Sequence, residues 1–197
     1  MHPPRKAGGC RSVPFFPNKE YGGILTKRST VDSKDYMAEA LLFLMKRKPA
    51  AKITVSEITE RAGVSRATWF RHFTDKREAV VYGLARLWEK WAESHGLTDS
   101  HRPSVENVES FVDYIYDIRS IQKALERSEM ESAILDAYVR VLVDSEENTG
   151  TEEYFRNKAL TYGIVGIIDG WRCNDYRNSR EEIAAYLRKF IAGRCAP

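Results

Sequence analysis

Ile53-Thr54-Val55-Ser56-Glu57-Ile58-Thr59-Glu60-Arg61-Ala62-Gly63-Val64-Ser65-Arg66-Ala67-Thr68-Trp69-Phe70-Arg71-His72-Phe73-Thr74-Asp75-Lys76 is the stretch on which the reading turns. Thr54 followed three residues later by Glu57 is a capping box, so a helix starts there. Val55, Ile58 and Ala62 then share one face. Gly63 stops this helix, because a left-handed C-cap favours a residue without a side chain. Ser65 caps the next one, read from Arg66 to Phe73. Trp69 and Phe73, four apart, point inward and anchor it, while Val64 buries between the two helices. Arg66, Thr68 and Arg71 project outward. Two short helices joined by a glycine turn form a helix-turn-helix, whose second helix lies in a DNA major groove.

Outward from this stretch the chain reads as helix throughout. Tyr36, Ala40, Leu41, Leu44 and Met45 make one stripe of a helix capped by Asp32 or Ser33 and ended by Pro49. Asp75-Lys76-Arg77-Glu78 reads as a second capping box. It opens a long helix with Val80, Val81, Leu84, Leu87, Trp88 and Trp91 on one stripe, stopped by Gly96. Further helices are expected at 104–117, 118–127, 129–146, 152–175 and 179–192. Ser128-Glu129-Met130-Glu131 and Ser179-Arg180-Glu181-Glu182 read as their capping boxes. The expected organisation is a basic arm over 1–31, a DNA-binding unit over 32–77 and a helical unit over 78–192. Residues 78–95 form the connecting helix and 193–197 a tail.

Composition narrows the class. With 197 residues, 43% hydrophobic and 30% charged, the chain can bury a core without metal or disulfide staples. The longest apolar-leaning run, Tyr162 to Ile168, is 7 residues, against roughly 20 for a membrane span. The basic start lacks an apolar stretch and is read as no secretory leader. Cys10, Cys173 and Cys195 are sparse and far apart, which fits a reducing compartment and no zinc site. The net charge of +3 hides an asymmetry. Residues 1–31 hold six Lys/Arg against one acidic residue, and residues 95–197 hold thirteen against eighteen. A basic front joined to an acidic back suggests a polyanion-binding part and a separate part with another task.

The quoted run resembles the DNA-binding signature of the TetR (tetracycline-repressor) family, and with its flanking helices the resemblance covers about 33–92. It implies an all-α dimer, with an N-terminal three-helix helix-turn-helix domain and a C-terminal helical domain for ligand binding and dimerisation. By position it implies DNA contacts from Thr54, Ser56, Ser65, Arg66, Thr68, Phe70, Arg71, His72 and Lys76. Thr68 and Arg71 face bases or neighbouring phosphates. His72 and Lys76 fall at phosphate-contacting positions. One departure stands out: Phe70 occupies a place where the family usually has Tyr, so the ring is kept and a phosphate hydrogen bond is lost.

The back half resembles the family's ligand-domain layout. Gly163, Gly166 and Gly170 fall on one helix face, and each costs roughly 1 kcal/mol relative to Ala. Close approach of another backbone is the expected use, so these three are assigned to a dimer interface built from residues 152–175 and 179–192. Tight packing within one subunit is the alternative. Tyr114, Tyr116, Tyr138 and Tyr162 are the candidate ligand contacts, because a phenol offers apolar area and a hydrogen bond.

The function expected is a sequence-specific transcriptional regulator in the cytoplasm: a homodimeric repressor on a palindromic operator, released by a small molecule. An activator, or a nucleoid or division-site DNA-binding protein on the same fold, is the alternative. The enzyme reading has little to stand on. There is no glycine-rich phosphate loop, no GxSxG and no metal triad, and the four histidines do not cluster. No cofactor, metal, catalytic residue or membrane partner is expected.

Overall fold

The computed structural model describes residues 30–97, 103–143 and 149–193. All regular structure among them is helical: α1 (Thr30–Met45), a 3-10 turn (Ala50–Lys52), α2 (Val55–Ala62), α3 (Arg66–His72), α4 (Lys76–Ser94), α5 (Val108–Asp117), α6 (Arg119–Glu126), α7 (Ser132–Leu142), α8 (Glu152–Cys173) and α9 (Arg180–Ala192). Residues 1–29 of the basic arm and Cys10 and Cys195 lie outside the described residues, and the arm's last two residues belong to α1.

Local chemistry sets most of these boundaries. The Thr54 hydroxyl accepts from the Glu57 amide, and the Glu57 carboxylate accepts from the Thr54 amide at 2.8 Å. Ser179 and Glu182 repeat that exchange at α9. Asp75 caps α4, but only half of the expected box forms. Glu78 reaches one residue further back, accepting from the amide and hydroxyl of Thr74 at 2.8 and 2.9 Å.

Ser128 corrects a second expectation. Its hydroxyl is already engaged, donating to the Ala124 carbonyl and accepting from the Ala50 amide, both outside the expected box. Glu129 turns into the left-handed region at φ 55°, and α7 begins at Ser132 rather than 129. At α5 the Asn107 side chain accepts from the Ser104 amide, which holds 104–107 as a turn and delays the helix to Val108. At the other end of the chain α1 begins at Thr30, two residues before Asp32.

One continuous core joins the two halves, with Trp69, Phe73, Trp88, Phe111 and Trp171 almost wholly buried. Through it runs α4. On one side Gly83 lets it close on α1, where an added Cβ would stand 2.9 Å from Leu42 Cδ1. The Tyr82 hydroxyl donates to Asp35 at 2.6 Å across the same contact. On its other side α4 packs along α7. The α2–α3 pair is thus mounted on a helix whose far end belongs to the C-terminal core.

Two further ties cross between the halves. Arg127, just past α6, donates to the Lys46 carbonyl at 3.1 Å, beside the Ser128–Ala50 bond. Arg77, in the first turn of α4, donates to the Ser132 hydroxyl and pairs with Asp136 of α7.

The turn after α8 is strained, since Asp175 and Tyr176 both have positive φ. It is held because the Tyr176 ring buries against Trp171 and Tyr116 while its hydroxyl donates to the buried Gln122 at 2.9 Å.

Candidate nucleic-acid interface

The geometry of the helix-turn-helix follows from three residues. Gly63 sits at φ 65°, ψ 37°, where a side chain would be strained, and its amide closes the end of α2. The Val64 amide returns to Thr59 at 3.0 Å, which tightens the turn. Ser65 then caps α3 by accepting from the Thr68 amide at 3.2 Å.

α3 is anchored by its inner face. Trp69 and Phe73 are 1% and 2% exposed, their rings 5.1 Å apart, and Phe73 meets the Tyr82 edge of α4. Fixing this face fixes the other. Arg66, Phe70 and Arg71 stand exposed on the outer surface, and Thr68 is half-buried with its hydroxyl 2.9 Å from that of Ser65. Phe70 is 62% exposed, an unusual position for an aromatic ring in a free chain. Thr54 and Ser56 are exposed at the start of α2. The Thr54 hydroxyl is engaged by both ends of its bond with Glu57.

Two of the expected contacts have other duties here. Lys76 is half-buried, and its ammonium donates to the Ala50 and Ile53 carbonyls at 2.5 and 2.9 Å. It fastens the entry of α2 to the start of α4, with one of its three protons left over. His72 is half-buried, with Nε2 enclosed and without a hydrogen-bond partner among the described residues. Burial lowers its pKa, and repulsion from Arg71 and Lys34 lowers it further. At neutral pH it is an uncharged imidazole.

Lys34 of α1 is a cation the sequence pattern did not single out. Its ammonium lies over the rings of Tyr82 and Phe73, at 4.5 and 5.2 Å, on the side of His72 and Arg71. The basic run at the end of α1 is engaged within the chain. Lys48 pairs with Glu57, and Arg47 joins Arg61 over the Phe43 ring. The Glu57 carboxyl is held down to about 2, first by the Lys48 bond and then by the Thr54 backbone and hydroxyl.

Residues 39–80 match the family model described as bacterial regulatory proteins, tetR family. This segment is similar to the tetR family. The match runs from Glu39 in α1 through the helix-turn-helix into the first turns of α4, so the tetR signature covers the element that presents Arg66 to Arg71. A crystal structure of a TetR transcriptional regulator from Rhodococcus sp. RHA1 is similar over 84% of this chain and 96% of its own, with a TM-score of 0.57 and 15% identity. At that identity the likeness is one of fold, and it extends the tetR architecture over the C-terminal helices. Comparison with curated proteins gives no match.

The four tyrosines expected at a ligand site do not converge. Tyr114 and Tyr138 are 5% and 2% exposed, both packed on Trp88. Tyr116 stacks on Trp171 at 5.8 Å, away from them. Tyr162 is exposed on α8 and lines a cavity of about 320 Å³ between α6, α7 and α8, with Gln122, Ser132 and Arg172.

Of the three glycines, Gly163 is used within the chain. The Phe190 ring of α9 lies where its Cβ would be, with Cζ only 2.0 Å away. A Cβ added at Gly166 or Gly170 would meet nothing within 4 Å. Among the described residues no helix is long and apolar enough to cross a membrane, and no group of acidic, His or Cys side chains is arranged for a metal ion.

Proposed function

We propose that this chain is a sequence-specific transcriptional regulator acting as a homodimeric repressor that a small molecule releases from its operator. The observation that carries this reading is the outer face of α3. Arg66, Phe70 and Arg71 are held solvent-facing by a buried Trp69–Phe73 anchor. A guanidinium reads guanine in a bidentate fashion, and an exposed aromatic ring contacts a thymine methyl. Arg71 and Thr68 are assigned to base edges. Arg66, Ser65, Ser56 and Thr54 are assigned to phosphates, with Lys34 added from α1. Lys76 keeps one proton for a phosphate, while His72 contributes as a neutral donor.

Dimerisation is assigned to α8 and α9. Phe155, Tyr162 and Tyr186 are exposed there beside the open Gly166 and Gly170. A second copy on this face would cover them and set two copies of α3 in successive major grooves, about 34–36 Å apart. An effector that fits only the non-binding spacing shifts the population off DNA. α4, tied to α7 through Arg77, is the element suited to carry that shift. The chain works where its DNA is, in the cytoplasm.

Footprinting of the purified protein across a genome tests the reading. A few palindromic sites are expected, and many dispersed sites without a motif would replace it with an architectural DNA-binding role.

A further inference from the structure

At the far end of α4 lies an aromatic cluster with more hydrogen-bonding capacity than it uses. Trp88 and Trp91 of α4 meet Phe111 and Tyr114 of α5, and Trp88 meets Tyr138 of α7, at centroid distances of 4.7–5.9 Å. A core that needs only apolar area is built from Phe and Leu. This one buries the Trp91 Nε1, the Tyr114 hydroxyl and the Ser110 hydroxyl, each without a hydrogen-bond partner among the described residues. Trp91 and Tyr114 are 7% and 5% exposed.

Buried polar atoms are nearly always paired, so three unpaired ones in one neighbourhood require an explanation. They are neighbours: Ser110 and Tyr114 are four apart on one face of α5, and the Trp91 ring lies 5.5 Å from that of Tyr114. A serine inside a helix ordinarily returns its hydroxyl to a carbonyl one turn back, and Ser110 does not. Indole N–H can only donate. Burial keeps the Tyr114 phenol protonated, with its pKa well above the ordinary value, so it donates too. What is missing on this side is an acceptor.

The cavity beside α8 offers no such demand. Its Gln122 is satisfied by Tyr176 and the Ile115 carbonyl, and its Arg172 by Asp169 and Glu126.

We propose that Trp91, Ser110 and Tyr114 are the polar pole of an effector site that takes a flat, uncharged, largely apolar molecule carrying a hydrogen-bond acceptor, such as an aryl ketone or lactone. The assignment rests on the ligand-responsive reading given above. The rings supply stacking area. Among the described residues the lysines and arginines that stand over rings do so over Phe43, Phe73, Tyr82, Tyr116, Tyr154 and Tyr176, not over Trp91, Phe111, Tyr114 or Tyr138. His95, on Trp91 at 5.0 Å, has its Nδ1 engaged by the Trp91 carbonyl. A carboxylate would therefore enter without a countercharge, which disfavours anions.

Tyr114→Phe and Ser110→Ala test the site without any ligand. Deleting an unpaired buried hydroxyl should raise the unfolding midpoint by about 2–4 °C. A lowered midpoint in both variants would show that the hydroxyls are already satisfied inside the fold, which overturns the proposal. Calorimetric titration with chromone, coumarin and 1-tetralone is the second arm, against naphthalene as the ring without an acceptor and 2-naphthoate as the anion. At least one of the three should bind about tenfold tighter than both controls, and Tyr114→Phe should erase that preference. Absence of any preference, or its survival in Tyr114→Phe, overturns the proposal. Titrations are made without DNA. A probe that binds as expected yet leaves the operator complex intact refutes ligand-released repression and leaves the site standing.

Discussion

Gly166→Leu and Gly163→Leu, made separately, decide what the glycine face of α8 is for. In the single chain a Cβ added at Gly166 meets nothing within 4 Å, and beyond it lies the cavity between α6, α7 and α8. Replacing a helical glycine there should then stabilise the fold, by about 0.6–1 kcal/mol of helix propensity. If a second copy packs on this face, the sign reverses. Overpacking costs about 1–3 kcal/mol at one site, and a symmetric interface meets it twice. Dimerisation would weaken by about 2–6 kcal/mol, a factor of thirty or more in the dissociation constant. Gly163 behaves differently. Its place is filled by Phe190 from the same chain, so Leu there must displace that ring and lower chain stability. Sedimentation equilibrium with circular dichroism separates the cases. The expected result is a helical, well-folded Gly166→Leu monomer and a destabilised Gly163→Leu protein. A Gly166→Leu variant that remains as tight a dimer as the parent refutes the assignment of α8 to the interface.

Two other outcomes follow from the site. Glu57 titrates near 2 when folded and near its ordinary value of 4.5 when unfolded. Its contribution is present above about pH 4.5 and is lost as pH falls toward 2. Glu57→Gln should accordingly melt below the parent at neutral pH, with the gap closing by pH 2 in thermal scans; a gap independent of pH would show that the charge does not matter. Lys76→Ala removes two charged hydrogen bonds to the Ala50 and Ile53 carbonyls, so it should cost about 1.5–3 kcal/mol in denaturant unfolding. If its remaining proton meets phosphate, the salt slope of DNA binding should also fall by about 0.9 per subunit.

What could be read from the sequence, and what could not, divides by distance along the chain. Thr54 with Glu57, Gly63, Ser65 and Ser179 with Glu182 act over three or four residues, where spacing is geometry. The helix-turn-helix and the all-α architecture were therefore legible. Ser128 looked like a cap because its spacing to Glu131 is right, but its hydroxyl serves Ala50, 78 positions away. Lys76 looked like a free phosphate ligand until Ala50 and Ile53 were brought to it by the fold. Gly163 belonged with Gly166 and Gly170 by helical period, yet only tertiary packing could put Phe190 against one of the three. The tyrosines were chosen for their chemistry, and chemistry does not say which ring is buried: Tyr114 and Tyr138 are core, Tyr162 is surface. Lys34 carries no local signal because its partners, the Phe73 and Tyr82 rings, come from α3's end and α4.

The proposed function requires that the outer face of α3 reads DNA sequence. Its most direct test is equilibrium binding of the parent and of Arg71→Ala to the footprinted site and to a random duplex of equal length, at one salt concentration. A bidentate base contact is worth about 1–3 kcal/mol of discrimination. Arg71→Ala is expected to lose that much affinity for the footprinted site and far less for the random duplex, so that the two affinities converge. Equal losses on both duplexes would make Arg71 a backbone contact, and no loss on either would place the α3 face off the DNA.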